Sequence, residues 1–129
     1  MIKNNSLTPP NISQTQYFLN QTREIQNQLD EFFMVIYLNQ DNKLIHKQSI
    51  KIPTGIIDIK DIFHPALIYD CYGLVLAHNH PSGQCYPSKK DLIFTKKVKK
   101  VGQILGIKIV DHLIVTKDDY FSFLCQSIL

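Results

Sequence analysis

The eight residues from Glu31 to Leu38, EFFMVIYL, constrain the fold more than any other stretch of this chain. Read as a strand, they point Phe33, Val35 and Tyr37 to one side and Phe32, Met34 and Ile36 to the other. A strand that is apolar on both sides belongs in the middle of a sheet, with other layers covering both faces. The chain must therefore supply neighbouring strands and helices to cover them. Asn39-Gln40-Asp41-Asn42 has turn chemistry, so a second strand is expected from Lys43 to about Lys51.

The covering elements can be read from the remaining patterns. Tyr17, Phe18, Gln21, Glu24, Ile25 and Leu29 form a thin stripe at helical spacing on a Gln/Asn-rich surface. They predict a helix from Ser13, as N-cap, to about Gln28. Residues 1–12 are polar, contain Pro9 and Pro10, and are expected to be a flexible tail, which leaves 13–129 as one domain. Pro53-Thr54-Gly55 breaks the chain. Asp58 then caps a helix expected over Ile59 to about Cys71, with Ile62, Phe63, Leu67 and Ile68 on its apolar face and Pro65 kinking or shortening it. Gly73 to Ala77 predicts a short buried strand. Ser88 to Leu105 predicts a helix with Phe94, Val98, Val101 and Leu105 on one side, lysines on the other and Gly106 as C-cap. Ile107 to Thr116 and Tyr120 to Leu124 complete the strands. This order implies an α/β (or α+β) domain, a mixed sheet flanked by helices, and not a regular βαβ alternation.

Composition narrows the function classes. A length of 129 residues and 44% hydrophobic content suit one domain with its own core. A net charge of +3 is too small to argue for nucleic acid by itself. Cys71, Cys85 and Cys125 are odd in number and widely spaced, which fits neither a disulfide framework nor a cysteine zinc site and points to a reducing cytoplasm. No apolar run reaches the ~20 residues of a membrane helix, and the N-terminus lacks a signal-peptide core.

The chemistry concentrates between residues 78 and 91. His78 and His80 lie two apart at the end of a buried strand, so both imidazoles face one point beyond the sheet. Pro81 and Gly83 turn the chain away, and Asp91 follows in the first turn of a helix, about 60° from Phe94 on a ~3.6-residue turn. Two histidines and a carboxylate match a catalytic zinc site with one open position. Each has a simpler reading. A lone histidine at a strand end is usually a hydrogen-bonded structural residue, Ser88-Lys89-Lys90-Asp91 is a capping box, and the lysines between 89 and 100 form a solvated helix face. His46, His64 and His112 are scattered and are expected to be structural.

The pattern taken whole is more specific. His78-x-His80, seven residues beginning with Pro81, then Ser88, two residues and Asp91 resembles the motif of the JAMM (JAB1/MPN+) metalloproteases. The longer HNHPSGQCYPSKKD, with LGIKIVDHLIVT at 105–116 and YFSF at 120–123, resembles the RadC-like JAB proteins within that superfamily. The resemblance covers about residues 28–129 and implies the JAB/MPN layered fold, similar to that of cytidine deaminases. It implies that His78, His80 and Asp91 hold Zn2+, with a water in the fourth position whose pKa falls towards ~7. It also implies a glutamate on an early strand as general acid/base, which falls on Glu31 in preference to Asp30 or Glu24. Glu31 would move a proton from the water to the leaving amine, and Ser88 would donate a hydrogen bond to the oxyanion. Asn79 and Ser82 would brace the loop, and Asp111 or His112 would support a ligand from behind.

The chain departs from that family in two respects. Full-length RadC-like proteins carry an N-terminal helix-hairpin-helix region, for which the roughly thirty residues before the Glu31 strand leave no room. The glycine-rich segment of many relatives is reduced to Pro53-Thr54-Gly55. The expected function is a zinc-dependent peptidase or isopeptidase acting on an unknown peptide or protein. The alternative is a non-catalytic accessory protein of DNA repair, recombination or a mobile element, whose basic helix 88–100 touches phosphates. Its zinc would be structural and closed by a fourth protein ligand, for which Cys85 is the candidate.

Overall fold

The structure, a computed structural model, describes residues 12–52 and 57–129. The break expected at Pro53-Thr54-Gly55 and the expected tail, Ile12 excepted, lie outside the described residues. Strands β1 (Phe32–Leu38), β2 (Leu44–Lys51), β3 (Gly73–Asn79), β4 (Lys108–Val115) and β5 (Tyr120–Ser122) form one sheet in the order β2-β1-β3-β4-β5. Only the β3–β4 pairing is parallel; the other three are antiparallel. β1 thus lies inside the sheet, with six of its seven residues buried. Helices α1 (Ile12–Gln21) and α2 (Arg23–Gln26) cover one face, packing Phe18 and Ile25 on Met34, Ile36, Val75, Ala77 and Leu113. Helices α3 (Ile59–Ile68) and α4 (Lys89–Leu105) cover the other, over Phe33, Val35, Tyr37, Leu74 and Leu76. This is the mixed α/β layered architecture that the sequence predicts.

Several expected boundaries shift, each for a local reason. The first helix is two pieces, because buried Thr22 turns its hydroxyl back to donate to Leu19 O at 2.8 Å and its backbone leaves helical geometry. Ser13 is inside α1 and is not its cap, and Leu29 is 91% exposed, outside any helix. Glu31 sits one residue ahead of β1, its carbonyl accepting from Ile52 N. The last strand ends at Ser122, where Phe123 and Leu124 enter a turn.

Asp58 caps α3 as expected, its side chain accepting from Lys60 N. The helix continues through Pro65 to Ile68. Proline has no N–H to give the carbonyl four residues back, Asp61 O. The side-chain amide of Gln48 on β2 supplies that bond, donating to Asp61 O at 2.8 Å and to Tyr37 Oη at 2.7 Å. Tyr37 in turn donates to Ile62 O, and burial pushes its phenol far above the ordinary range. The buried face of α3 is Ile62, Phe63 and Ala66; Leu67 and Ile68, expected there, are 58% and 65% exposed because they fall past the stripe on the helical turn.

α4 starts at the Ser88 cap and ends at Gly106, which has φ of 73° in the left-handed region, as the sequence predicts. Val98 is fully buried beneath it, whereas Leu105 is 41% exposed. The β3–α4–β4 unit carries the candidate chemistry. It brings the C-terminal end of β3, the first turn of α4 and the middle of β4 to one place.

Candidate metal centre

At the end of β3, alternation sends His78 to the α3/α4 side of the sheet and Asn79 to the opposite side. His80 follows just past the strand, its N–H donating to Val115 O. The Nε2 atoms of His78 and His80 lie 2.9 Å apart. Asp91 Oδ2 is 3.4 Å from each, and Glu31 Oε2 is 4.0 Å from His80 Nε2. The structure therefore brings together Glu31, His78, His80 and Asp91, four of the five residues singled out in the sequence. Glu31, His78 and His80 present donor atoms all within 4.8 Å of one another, a cluster able to hold a metal ion, and His78, His80 and Asp91 lie closer still. The fifth residue, Ser88, is the N-cap of α4. Its Oγ accepts from Asp91 N at 3.0 Å, while Asp91 Oδ2 accepts from Ser88 N at 2.9 Å. The capping box is thus complete, and its carboxylate is the one facing the imidazoles.

The hydrogen bonds behind the imidazoles accommodate one set of tautomers that turns both Nε2 lone pairs to the cluster. Thr95 Oγ1 donates its single proton to Asp91 O at 2.7 Å. With that proton so placed, Thr95 Oγ1 accepts from His112 Nδ1 at 2.6 Å, which selects the tautomer with the His112 proton on Nδ1. His112 Nε2 is then bare and accepts from His78 Nδ1 at 2.8 Å, which leaves the His78 Nε2 lone pair facing the cluster. His80 Nδ1 donates to Gln84 O at 2.8 Å, freeing its own Nε2 in the same way. Complete burial, followed by the neighbouring His78, holds His112 well below the ordinary histidine range, so it stays a neutral relay. Its ring stacks on Phe123 at 4.5 Å between centroids.

Two lone pairs and a carboxylate aimed at one point repel unless something positive sits among them. Without a metal, a proton between the two Nε2 atoms, 2.9 Å apart, would serve. The hydrogen bond to Asp91 raises His80 above the usual range, against the opposing pull of burial. Burial alone would raise the Asp91 carboxyl, but its bonds to His78 and His80 carry it far below the usual carboxylate range. A metal ion can take the proton's place. A four-coordinate ion bound at 2.0–2.1 Å sets neighbouring ligand atoms roughly 3.3 Å apart. The separations of 2.9, 3.4 and 3.4 Å among His78, His80 and Asp91 are close to that spacing. Glu31 is set slightly farther back and its side chain is more exposed, 35% against 19% for Asp91.

The remaining polar residues have distinct duties. Asn79 accepts from Phe32 N at 2.7 Å and donates to Asp30 O and Gln28 O, at 2.9 and 3.3 Å. It therefore braces the segment that carries Glu31, and not the loop after His80. Ser82 touches that loop weakly, accepting from Gln84 N at 3.5 Å. Asp111 does not orient a histidine ring. It accepts from Ser122 Oγ, His112 N and Leu124 N and so pins the turn bearing Phe123, while burial pushes its carboxyl up. Cys85 Sγ contacts Thr116 Oγ1 at 3.4 Å and is not a member of the metal-binding cluster. Thr95 is the supporting residue that sequence reasoning missed; its spacing of four from Asp91, on the same helical face, is the signal that points to it.

An α/β layered domain in which two histidines and two carboxylates converge at a strand end, in a cluster able to hold a metal ion, has the arrangement of a JAB/MPN-type domain. The RadC-like JAB domain family matches residues 11–128, and the chain belongs to that family. It is 44% identical over 101 residues to a UPF0758 protein of Flavobacterium johnsoniae, covering 76% of this chain and 44% of that one. It is 39% identical over 103 residues to a UPF0758 protein of Actinobacillus pleuropneumoniae, covering 78% and 47%. The chain therefore spans less than half the length of these relatives. Among the described residues no helix is long and apolar enough to cross a membrane.

Proposed function

We propose that this domain is a zinc-dependent hydrolase that cuts an amide bond in a peptide or protein, with His78, His80 and Asp91 as the metal ligands. One observation carries the reading: two imidazole lone pairs and a carboxylate, each fixed from behind, converge within 3.4 Å, with a second carboxylate at their edge. A zinc ion held there would polarise a carbonyl and lower the pKa of a bound water towards ~7. Glu31 stands beside the cluster on a backbone clamped by Asn79, as a general base that takes a proton from the attacking water and returns it to the leaving amine. The Ser88 hydroxyl accepts from Asp91 N, which leaves its own proton free for a developing oxyanion.

The test is metal content after purification without added metal, followed by peptide cleavage. About one zinc per chain is expected in the wild type and in Glu31→Gln, with a loss in His80→Ala. Cleavage should require both zinc and Glu31. If no stoichiometric zinc is taken up even when offered, the hydrolase reading fails. A chain that holds zinc but cleaves nothing in a broad peptide pool would favour the accessory role.

A further inference from the structure

Beside the cluster is a cleft of about 200 Å³ whose walls are apolar: Phe33 from β1, Ile57 ahead of α3, and Ile93 and Phe94 from α4. Glu31, His78 and Asp91 also line it, so whatever fills it lies next to the candidate reaction centre. A dry cavity of about 150 Å³ takes a benzene ring, so this cleft has room for one leucine- or phenylalanine-sized side chain. Ile93 is 58% exposed although it lines the cleft, an apolar surface left for an occupant.

The mouth is basic. Lys90 and Lys97 line the same cleft and are exposed, and neither is in an ion pair among the described residues. They lie two helical turns apart, about 10 Å along α4, with Ile93 and Phe94 between them. The charges are therefore ordered across the cleft. Glu31 and Asp91 on the side of the histidine cluster repel a carboxylate, and the two exposed ammonium groups attract one.

We propose that this cleft is a substrate subsite for a large apolar side chain next to the cut amide, with a carboxylate directed outward to Lys90 and Lys97. The substrate class is an apolar-acidic peptide segment. Its carboxylate belongs either to an Asp or Glu side chain or to a free C-terminus. The proposal rests on the hydrolase reading for its link to catalysis, but binding in the cleft does not require the metal.

The experiment is a titration of the whole chain, with and without zinc, followed by amide NMR shifts. The probes are acetyl-Gly-Leu-Glu-amide, its Leu→Ser and Glu→Gln counterparts, and acetyl-Gly-Leu with a free carboxylate. Shifts should map to α4 residues 90–97 and to Phe33. Affinity should fall about tenfold for the serine probe. It should fall about two- to fivefold for the glutamine probe or for Lys97→Glu, with a lysine-bearing probe regaining the loss on Lys97→Glu. The tighter of the Glu-amide and free-carboxylate probes identifies the source of the carboxylate. Equal binding of the leucine and serine probes, or shifts mapping elsewhere, would overturn the subsite. Selective binding by a chain that takes up no zinc would keep the subsite and sink the hydrolase reading; zinc uptake without leucine preference would do the reverse.

Discussion

Replacing Thr95 with valine tests whether the buried relay sets the metal affinity. Thr95 is 3% exposed, and valine matches its shape while deleting the hydroxyl. His112 Nδ1–H then loses its acceptor, and a buried donor left without a partner costs about 1–3 kcal/mol. His112 can escape by moving its proton to Nε2, but that atom faces His78 Nδ1 at 2.8 Å. His78 would then have to accept there and carry its own proton on Nε2, blocking the lone pair the metal needs. The metal-free protein can make this switch, whereas the metal-bound protein cannot. The penalty therefore falls mainly on metal binding. At 1.4 kcal/mol per factor of ten, 1–3 kcal/mol is about a 5- to 150-fold loss of zinc affinity. Zinc dissociation constants are to be measured at pH 7.5 by competition with a chromophoric chelator, and metal-free stability by urea unfolding. Thr95→Ser keeps the hydroxyl and should bind zinc nearly as the wild type does. Unchanged affinity in a folded Thr95→Val would refute the tautomer argument.

Three further outcomes follow from other contacts. Metal binding should release a proton in mildly acidic to neutral solution. Because Asp91 raises His80, the metal-free fold gains stability below about 6.5, the ordinary histidine value, and loses it as pH rises through the raised value. Zinc must displace that proton. Affinity should therefore fall as pH drops through the raised value, by up to about tenfold per unit, and calorimetry in buffers of different ionisation enthalpy will count the protons; a pH-independent affinity from 6 to 8 would contradict this. Gly102→Ala should destabilise the fold by about 1–3 kcal/mol in urea, although alanine favours helices. A Cβ there would lie 2.5 Å from Ile107 O, a backbone atom that cannot step aside, and a neutral result would show that the end of α4 yields. Asn79→Ala should keep zinc yet lose most cleavage, because it frees the Gln28–Phe32 segment that carries Glu31; equal loss of zinc and activity would mean that Asn79 supports the whole strand end.

The sequence made the centre of the fold legible because it depends on short periods. EFFMVIYL had to be an interior strand, and the two-residue spacing of His78 and His80 had to aim both imidazoles the same way. What was hidden depends on which strands become neighbours. Gln48 rescues the carbonyl orphaned by Pro65, and Asn79 clamps Gln28 and Asp30, only once β2, β1 and β3 lie side by side. The break at Thr22 was hidden for a different reason: a hydroxyl bonding back to Leu19 competes with the helix, and the apolar stripe carries no mark of it.

Asp91 explains why the simple and the functional readings of one residue need not compete. As a cap it accepts from Ser88 N through Oδ2, and as a candidate ligand it offers the same oxygen to two imidazoles. A carboxylate oxygen has two lone pairs, one for the cap N–H and one for an ion held between it and the imidazoles. The cap also does what a ligand needs. It holds the side chain in one rotamer, and the positive end of α4 favours the charged form. Thr95, one turn on, ties the Asp91 carbonyl to the histidine relay, so one helical turn orients both kinds of ligand. The helix-start signal and the metal motif share Ser88 and Asp91 because a helix N-terminus is an economical way to hold a carboxylate still. It follows that Ser88→Ala should loosen Asp91 and weaken zinc binding even if the serine hydroxyl never touches substrate. Removing the cap costs about 1 kcal/mol, which bounds the effect at roughly fivefold in affinity if the whole of it falls on the bound state. A larger loss of turnover than of zinc affinity in Ser88→Ala would then measure the separate part the hydroxyl plays at the oxyanion.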